Sequence, residues 1–436
     1  MRRIFFAAVA GIAAACVMLT ACSAWGEGES SGNPSVVSSA SSMAPSQVSS
    51  QAAVIPSRYY SLVVQRAGYH YLDGQTAQKV YESACSSADK ITSEKDKNGL
   101  YPMEEFRIEG EKITETEISL ALRAFRNDNP QVFWIANRYS YYYRGEDTVV
   151  RLYSYLSPSQ RDDFASRLNR VVTQVLENLP DGMSELDREI YLFETVTEKA
   201  TYDTSAAQDA GQWLPYTAYG ALVTGSAVCE GYAKAVQLLA GYMGLESRLV
   251  IGESRDVAHM WNVIRIDGKW YHLDATWSDG SLVRYDYFNV TDQVVSTDHS
   301  IYPEIGALSD DAVTDLPAEE SLKYNFPLPE CTSEDANYFQ ARGLVLKTLS
   351  NSGDDDAIAA LVSAAQNWEE SIAIYISAPL NFDVTVQRLF QSVPYKFEYY
   401  VKRANEMLDA THQINYNQVQ YVTAKAVRGV TVKLSY

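Results

Sequence analysis

The chain has 436 residues, with 36 Lys and Arg against 55 Asp and Glu, and a formal net charge of −19. Its 46% of hydrophobic residues can bury sizeable cores, which excludes a collagen-like, coiled-coil or wholly disordered chain. No basic tract offsets the acidic excess, so we expect no nucleic-acid partner. The 5 cysteines are too few for a fold built on disulfides.

The N-terminal segment has the pattern of a bacterial export signal. Arg2 and Arg3 precede an apolar run, Ile4–Ala21. A run of about 18 apolar residues can also span a bilayer, so a retained signal anchor is the alternative. Removal of residues 1–21 would take away two arginines and no acid, which gives a mature charge of −21.

The end of this run resembles the lipobox of bacterial lipoproteins, with the sequence Leu19-Thr20-Ala21-Cys22. The resemblance implies that residues 1–21 are a lipoprotein signal peptide and that Cys22 is lipidated. Cys16 lacks the large aliphatic residue three positions earlier. We therefore expect an exported protein, lipid-anchored to the outer face of the bacterial cytoplasmic membrane. Residues 22–57 are rich in Ser, Ala, Gly and Pro and predict a flexible tether.

Residues 58–183 predict an α+β N-terminal region. Apolar spacing of three to four residues and β-branched or aromatic runs give its elements. The cluster Tyr139–Tyr143 fits either a sugar-stacking surface or a half-buried strand, and we favour the strand. The predicted helices are 77–91, 115–125 and 164–179, and the predicted strands are 133–143 and 148–155.

Residues 184–310 predict the catalytic core, and residues 317–436 a small α+β C-terminal domain. Ser184 and Asp187 form a capping-box pattern before a helix at 186–200. A helix at Cys229 and a two-stranded hairpin follow. The C-terminal domain predicts helices at 334–349, 357–368 and 384–408, with a break at Pro394, and strands at 371–376 and 430–436.

Cys229 lies at the start of a predicted helix that ends near Gly244. The unpaired N–H groups and the dipole of a helix N-terminus favour an anionic thiolate. A thiolate is the nucleophile that acyl transfer requires. A buried structural cysteine is the alternative interpretation of this position.

Asp267-Gly268 predicts a tight hairpin turn between strands 258–266 and 269–276. In that register Trp261 faces Asp274, so His259 and Asp274 are diagonal neighbours about 7 Å apart on one face. At this separation the carboxylate can hydrogen-bond to the imidazole and orient it as a base. His272 lies on the same face as Asp274 and is a rival base.

The other histidines, His70, His299 and His412, have no nucleophile-like neighbours in the sequence and predict surface or hydrogen-bonded structural roles. No Cys and His spacing resembles a zinc site, so we expect no metal and no cofactor. Cys85 and Cys331 could pair in an exported protein, but two buried thiols are the favoured interpretation.

Three stretches together resemble the transglutaminase-like superfamily, in the version found in bacterial surface lipoproteins. Their order places a cysteine, a histidine and an aspartate in matching contexts over roughly residues 184–300. The stretches are Ser226-Ala227-Val228-Cys229-Glu230-Gly231-Tyr232-Ala233, His259-Met260-Trp261-Asn262 and Trp270-Tyr271-His272-Leu273-Asp274-Ala275-Thr276-Trp277.

The resemblance implies an α+β, papain-like thiol fold in which a cysteine helix packs on an antiparallel sheet. Cys229 would attack an amide and form a thioester, His259 would move the proton, and Asp274 would orient His259. The Cys229 N–H would be an oxyanion donor. Candidates for a side-chain donor are Trp213, Tyr216 and Tyr219, and candidates for substrate binding are Trp213, Tyr219 and Trp261.

The sequence leaves the second half-reaction open, because either an amine or water can resolve the thioester. The first case is transamidation by an acyltransferase, and the second is a peptidase or amidase reaction. The expected substrate is a protein or peptide at the cell surface, with cell-wall peptide among the candidates. The alternative is a catalytically inactive binding or adaptor lipoprotein at the cell envelope.

Overall fold

The computed structural model describes residues 20–22, 66–72, 74–209, 211–278, 282–305, 323–350 and 353–436. The predicted signal peptide and tether lie outside the described residues, except for Thr20–Cys22. Among the described helices, none is long and apolar enough to cross a membrane. The architecture is α+β, with helices and largely antiparallel sheets.

The N-terminal region contains one sheet, in the order β1-β4-β5-β2, with β3 also paired to β5. Tyr139 is buried while Tyr143 is 41% exposed, which confirms the half-buried strand. The last helix begins six residues before its predicted start, because Ser157 and Gln160 form a capping box ahead of the apolar stripe. The elements are β1 Thr20–Cys22, α1 Ala67–Tyr71, α2 Gln75–Ser87, β2 Tyr101–Pro102, β3 Phe106–Ile108, α3 Glu115–Asp128, β4 Ile135–Arg144, β5 Asp147–Ser154 and α4 Pro158–Glu177.

The central part is built on an antiparallel sheet in the order β11-β10-β9-β8-β12, and α6 packs against β8 and β9. This is the predicted arrangement of a cysteine helix on a sheet. The elements are α5 Glu185–Lys199, β6 Thr201–Tyr202, β7 Ser226–Ala227, α6 Cys229–Tyr242, β8 Glu246–Ser254, β9 Val257–Ile266, β10 Lys269–Leu273, β11 Phe288–Val290, α7 Asp292–Val295 and β12 His299–Ile301.

The predicted hairpin register is confirmed, since Ile266 pairs with Lys269 and Ile264 with Tyr271. The second strand is shorter than predicted. It ends at Leu273 because the Asp274 N–H donates to the Tyr287 carbonyl, and a 3₁₀ turn follows at Thr276–Ser278. The capping box at Ser184 is confirmed. Strand β8, which lies between β9 and β12, is absent from the sequence prediction.

The C-terminal part has its own sheet, in the order β13-β14-β16-β15. The predicted helix at 334–349 is wrong over most of its length, because Leu344–Leu346 pairs in parallel with β14. The predicted break at Pro394 is confirmed, since it separates two helices. The elements are α8 Tyr338–Arg342, β13 Leu344–Leu346, α9 Asp354–Gln366, β14 Ser371–Ile376, α10 Phe382–Phe390, α11 Lys396–Asn405, β15 Gln420–Ala424 and β16 Gly429–Lys433.

Candidate active site

Cys229 is the first residue of α6, with Val228 as the N-cap, and it is 9% exposed. The following turn lies against the 215–217 loop, since Val228 N–H donates to the Pro215 carbonyl. A Cβ added at Gly231 would come within 2.3 Å of that carbonyl oxygen. A glycine is therefore required at this close approach, which fixes the start of the helix and the position of the thiol.

His259 and Asp274 meet as the hairpin register predicts. His259 Nε2 lies 2.7 Å from Asp274 Oδ2, and both side chains are buried. Burial alone would lower the pKa of His259, but the Asp274 carboxylate and the Cys229 side chain raise it to about 10. Burial opposes ionisation of Asp274, yet His259 and His299 hold the pKa of that carboxyl well below its usual range.

The imidazole of His259 connects the other two residues. Its Nε2 is hydrogen-bonded to Asp274, and the Cys229 side chain lies close enough to the ring to contribute to the raised pKa of His259. Because Asp274 occupies Nε2, Nδ1 is the nitrogen left for the thiol. In the cationic ring Nε2–H points at the carboxylate and Nδ1–H is free for the sulfur, an arrangement that suits a thiol nucleophile paired with an imidazole.

Asp274 has two further partners. Its Oδ1 accepts the Thr276 N–H at 2.9 Å, and its Oδ2 lies 3.3 Å from His299 Nε2. His299 is buried, so of its two expected roles the hydrogen-bonded one is confirmed and the surface one is wrong. No local signal indicated this contact, because it depends on the pairing of β12 with β8, a strand that was not predicted.

His272, the rival base, has both ring nitrogens engaged elsewhere. Trp261 Nε1–H donates to His272 Nδ1 at 3.0 Å, and His272 Nε2 lies 2.8 Å from Asp292 Oδ1. Nδ1 accepts a hydrogen bond, so the proton of the neutral ring is on Nε2 and points at Asp292. His272 is a structural residue in this arrangement. His70 is exposed and His412 is bonded to Asp409 at the surface.

Two groups bring ligand-type atoms close enough for a metal ion. In one, His272 and Asp292 lie beside Cys331. A metal on His272 Nε2 would require the ring proton to move to Nδ1, but Nδ1 accepts a hydrogen bond from the Trp261 indole, which can only donate. That donor set fits a hydrogen-bonded cluster better than a zinc site. The other group is His259, Asp274 and His299, in which the Nε2 atoms of both histidines are hydrogen-bonded to Asp274 Oδ2.

The aromatic candidates for substrate binding lie in packed positions. Trp213 stacks on Tyr155 with ring centroids 4.5 Å apart. Tyr219 is 2% exposed and stacks on Phe164. Trp261 is buried beside His259. Packing accounts for these three rings, so their role in substrate binding stays a prediction. The Tyr216 hydroxyl donates its hydrogen bond to the Ala206 carbonyl, so in this structure it does not serve as an oxyanion donor.

Trp277 is a site residue that the sequence prediction missed. Its ring centroid lies 6.1 Å from that of His259, and the Arg255 guanidinium lies 4.1 Å above its ring. Trp277 Nε1 is buried and has no hydrogen-bond partner among the described residues. A buried indole N–H without a partner is costly, and a carbonyl oxygen in the site would satisfy it.

Cys85 and Cys331 are free thiols in this structure, Cys331 buried and Cys85 partly so. Burial raises the pKa of Cys85 to about 12 and raises that of Cys331 as well. The favoured interpretation of two buried thiols is confirmed for Cys331, whereas Cys85 is unpaired but only partly buried.

A sequence model described as the transglutaminase-like superfamily matches residues 173–275, a stretch that contains Cys229, His259 and Asp274. The chain contains a transglutaminase-like domain. Two curated relatives are kyphoscoliosis peptidases, 25% identical in Mus musculus and 24% in Homo sapiens over 127 residues. The match covers 26% of this chain and 19% of each relative, so it spans about a fifth of the relatives' length.

Two solved structures show limited similarity to the chain. One is a crystal structure of a transglutaminase, with 15% identity, a TM-score of 0.25 and coverage of 41% of this chain and 52% of its own. The other is a provisional cysteine protease from Cytophaga hutchinsonii, with 11% identity, a TM-score of 0.22 and coverage of 49% and 78%.

Proposed function

We propose that the protein is a thiol enzyme that acts on protein or peptide amides at the bacterial cell surface. Cys229 is the nucleophile, His259 the proton carrier and Asp274 the residue that orients His259. A single observation carries this proposal, the buried His259–Asp274 pair at 2.7 Å beside Cys229, whose side chain contributes to the raised pKa of His259. The domain family and the position of Cys229 at a helix start support it.

The chemistry begins with attack of the Cys229 sulfur on an amide carbonyl. A tetrahedral oxyanion forms, and the N–H groups at the start of α6 together with Trp277 Nε1–H can bind it. The carbon–nitrogen bond then breaks, the amine leaves with the proton from His259, and a thioester to Cys229 remains. Neutral His259 next takes a proton from water or from an amine, which attacks the thioester and frees the thiolate.

Hydrolysis and transamidation differ in the molecule that resolves the thioester. The curated relatives are named peptidases, which supports hydrolysis, although the match covers 19% of their length. The chain's net charge of −19 suits a cationic amine donor equally well. The proposal is therefore a thioester-forming enzyme, with the acceptor decided by experiment.

The decisive experiment measures alkylation of the purified full chain by iodoacetamide, with the Cys229 peptide quantified by mass spectrometry. Cys85 and Cys331 in the same sample are internal controls. We expect Cys229 to react fast even at about pH 6, well below ~8.5, where an ordinary thiol ionises. His259→Ala should remove this reactivity.

The same samples treated with p-nitrophenyl acetate should release a burst of nitrophenol and carry an acetyl group on Cys229. Protein amide donors, with and without a labelled amine, then separate transamidation from hydrolysis. If Cys229 behaves as an ordinary thiol and is indifferent to His259→Ala, the enzyme proposal fails. That result would favour the alternative function, an inactive binding or adaptor lipoprotein.

The location is also a proposal, in which the chain is exported and anchored to the outer face of the cytoplasmic membrane through lipid on Cys22. Its support is the lipobox-like sequence that ends at Cys22. Cells fed an alkyne fatty acid should label the protein, and Cys22→Ala should abolish the label, while Cys16→Ala is the matched control. Equal labelling of the Cys22→Ala variant would rule out this anchor.

A further inference from the structure

His299 reaches the active site from an edge strand of the sheet. His259 pairs with Gly252 on β8, and His299 pairs with Ser254 two positions along the same strand. Paired residues share a face and so do alternate residues of one strand, which places both histidines on one face. Their ring centroids are 5.6 Å apart. Gly252 has no side chain between them, and a Cβ there would come within 3.0 Å of the Trp261 ring.

Both nitrogens of His299 face carboxylates. Nε2 lies 3.3 Å from Asp274 Oδ2, and Nδ1 lies 2.7 Å from Asp298 Oδ1. The pKa values of both carboxyl groups are lowered despite burial, by hydrogen bonds from their partners, so both oxygens accept. A neutral imidazole has one N–H and would leave its second nitrogen facing an acceptor. An imidazolium, which has an N–H on each nitrogen, can donate to both carboxylates.

The other groups around His299 are two aromatic rings and two cations. The Tyr287 ring lies 5.0 Å from it, and the Tyr287 hydroxyl donates to Asp298 Oδ2. The Trp261 ring lies 5.1 Å from it, measured between ring centroids. Arg255 lies 3.5 Å from the same Asp298 oxygen, at the solvent side, and His259 is the second cation. The two carboxylates that face the ring nitrogens therefore have to outweigh both the burial of His299 and these two cations.

We propose that His299 is a positioning residue, a doubly protonated imidazolium that holds Asp274 in place and reduces the stabilisation that Asp274 gives to the His259 cation. The proposal rests on the proposed function, in which His259 must release its Nδ1 proton to the leaving amine. Asp274 alone would stabilise the His259 cation too strongly for an efficient general acid. A second cation on the same oxygen offsets part of that stabilisation.

The test reads the histidine nitrogens directly, by long-range proton–nitrogen NMR of the full chain labelled with ¹⁵N-histidine. The chain has 5 histidines, and single substitutions assign them. We expect both nitrogens of His299 to be protonated at neutral pH. In His299→Gln, which keeps an amide donor and removes the charge, the titration of His259 should move upward. A unit charge at the 5.6 Å ring separation corresponds to about two pKa units at an effective dielectric constant of ~20.

Ser300→Ala, an exposed change on the same strand, is the matched control and should leave the His259 titration where it is. A singly protonated His299 in the unmodified protein would overturn the proposal, even if the Gln variant did not fold. An unchanged His259 titration in His299→Gln would overturn it as well. Neither result depends on catalysis. The proposed function fails separately, through an unreactive Cys229.

Discussion

The indole N–H of Trp261 donates to Nδ1 of His272 at 3.0 Å. This contact decides between two histidines that lie on adjacent strands of the same hairpin. It fixes the neutral tautomer of His272 and directs its Nε2–H to Asp292. His259, which has no such indole donor, keeps one nitrogen for Asp274 and the other for Cys229. Trp261 thus gives His272 a structural role and leaves His259 as the candidate base.

His272→Gln should therefore lower stability without disabling the thiol. The substitution removes the imidazole that accepts the buried Trp261 N–H and bonds to Asp292, at a cost of about 1–3 kcal/mol in the free energy of unfolding. Urea denaturation measures that cost. Alkylation of Cys229 at about pH 6 should stay within a few-fold of the unmodified rate, whereas His259→Ala abolishes the reactivity. Loss of reactivity in His272→Gln in a folded protein would restore His272 as the base.

The sequence was sufficient for the local parts of the site. The helix that ends near Gly244, the Asp267-Gly268 turn and the alternation of β9 and β10 are short-range patterns, and they placed Cys229 at a helix start and His259 beside Asp274. His299 and Trp277 were missed for two reasons. The position of His299 depends on the pairing of β12 with β8, a contact between distant residues, whereas Trp277 lies in the local turn Thr276–Ser278 that ends the strand early.

The C-terminal errors have a similar cause. Residues 344–346 follow a helical pattern, yet they form β13 because β14 offers them a parallel strand edge. Helical propensity is a weak preference, and tertiary pairing overrides it. By contrast, the break between α10 and α11 was predictable, since Pro394 cannot donate a helical hydrogen bond.

Gly231→Ala should disturb the nucleophile through the loop that packs on α6. Alanine favours a helix by about 1 kcal/mol over glycine. The new Cβ, however, would lie within 2.3 Å of the Pro215 carbonyl oxygen, and such overpacking costs about 1–3 kcal/mol. We expect net destabilisation in urea and slower alkylation of Cys229, because the start of the helix must shift.

The matched change is Gly268→Ala in the hairpin turn. A Cβ at Gly268 meets no atom within 4 Å, but its φ of +82° is strained for alanine, by about 1–2 kcal/mol. It should destabilise the fold and leave the alkylation rate unchanged. Equal alkylation rates in both variants would show that the Gly231 contact does not position the thiol.

Trp277→Phe tests whether the unpartnered indole N–H stabilises the oxyanion. Loss of one such donor costs about 100-fold or more in the acylation rate. The burst with p-nitrophenyl acetate should therefore slow by that order. Iodoacetamide alkylation is a displacement at carbon that forms no oxyanion, so its rate should hold. Slowing of both reactions together would indicate a packing defect, and unchanged acylation would exclude Trp277 as a donor.

Asp274→Asn should destabilise the protein in a pH-dependent manner. The folded state raises the pKa of His259 from ~6.5 to about 10, so it binds that proton more tightly than the unfolded chain. The resulting stabilisation is complete below about pH 6.5 and is lost as the pH rises to about 10. Asparagine has no charge to hold the imidazolium, and burial then lowers the pKa of His259.

The difference in free energy of unfolding between the unmodified protein and Asp274→Asn should therefore be largest near pH 6 and should shrink toward about pH 10. Urea denaturation at three pH values across this range measures it. Asp335→Asn, which removes an exposed partner of Lys269, is the matched control. Its small effect should be level from pH 6 to 9, since surface pairs contribute about 0–1 kcal/mol. A difference for Asp274→Asn that is equally level would mean that His259 is not held as a cation by Asp274.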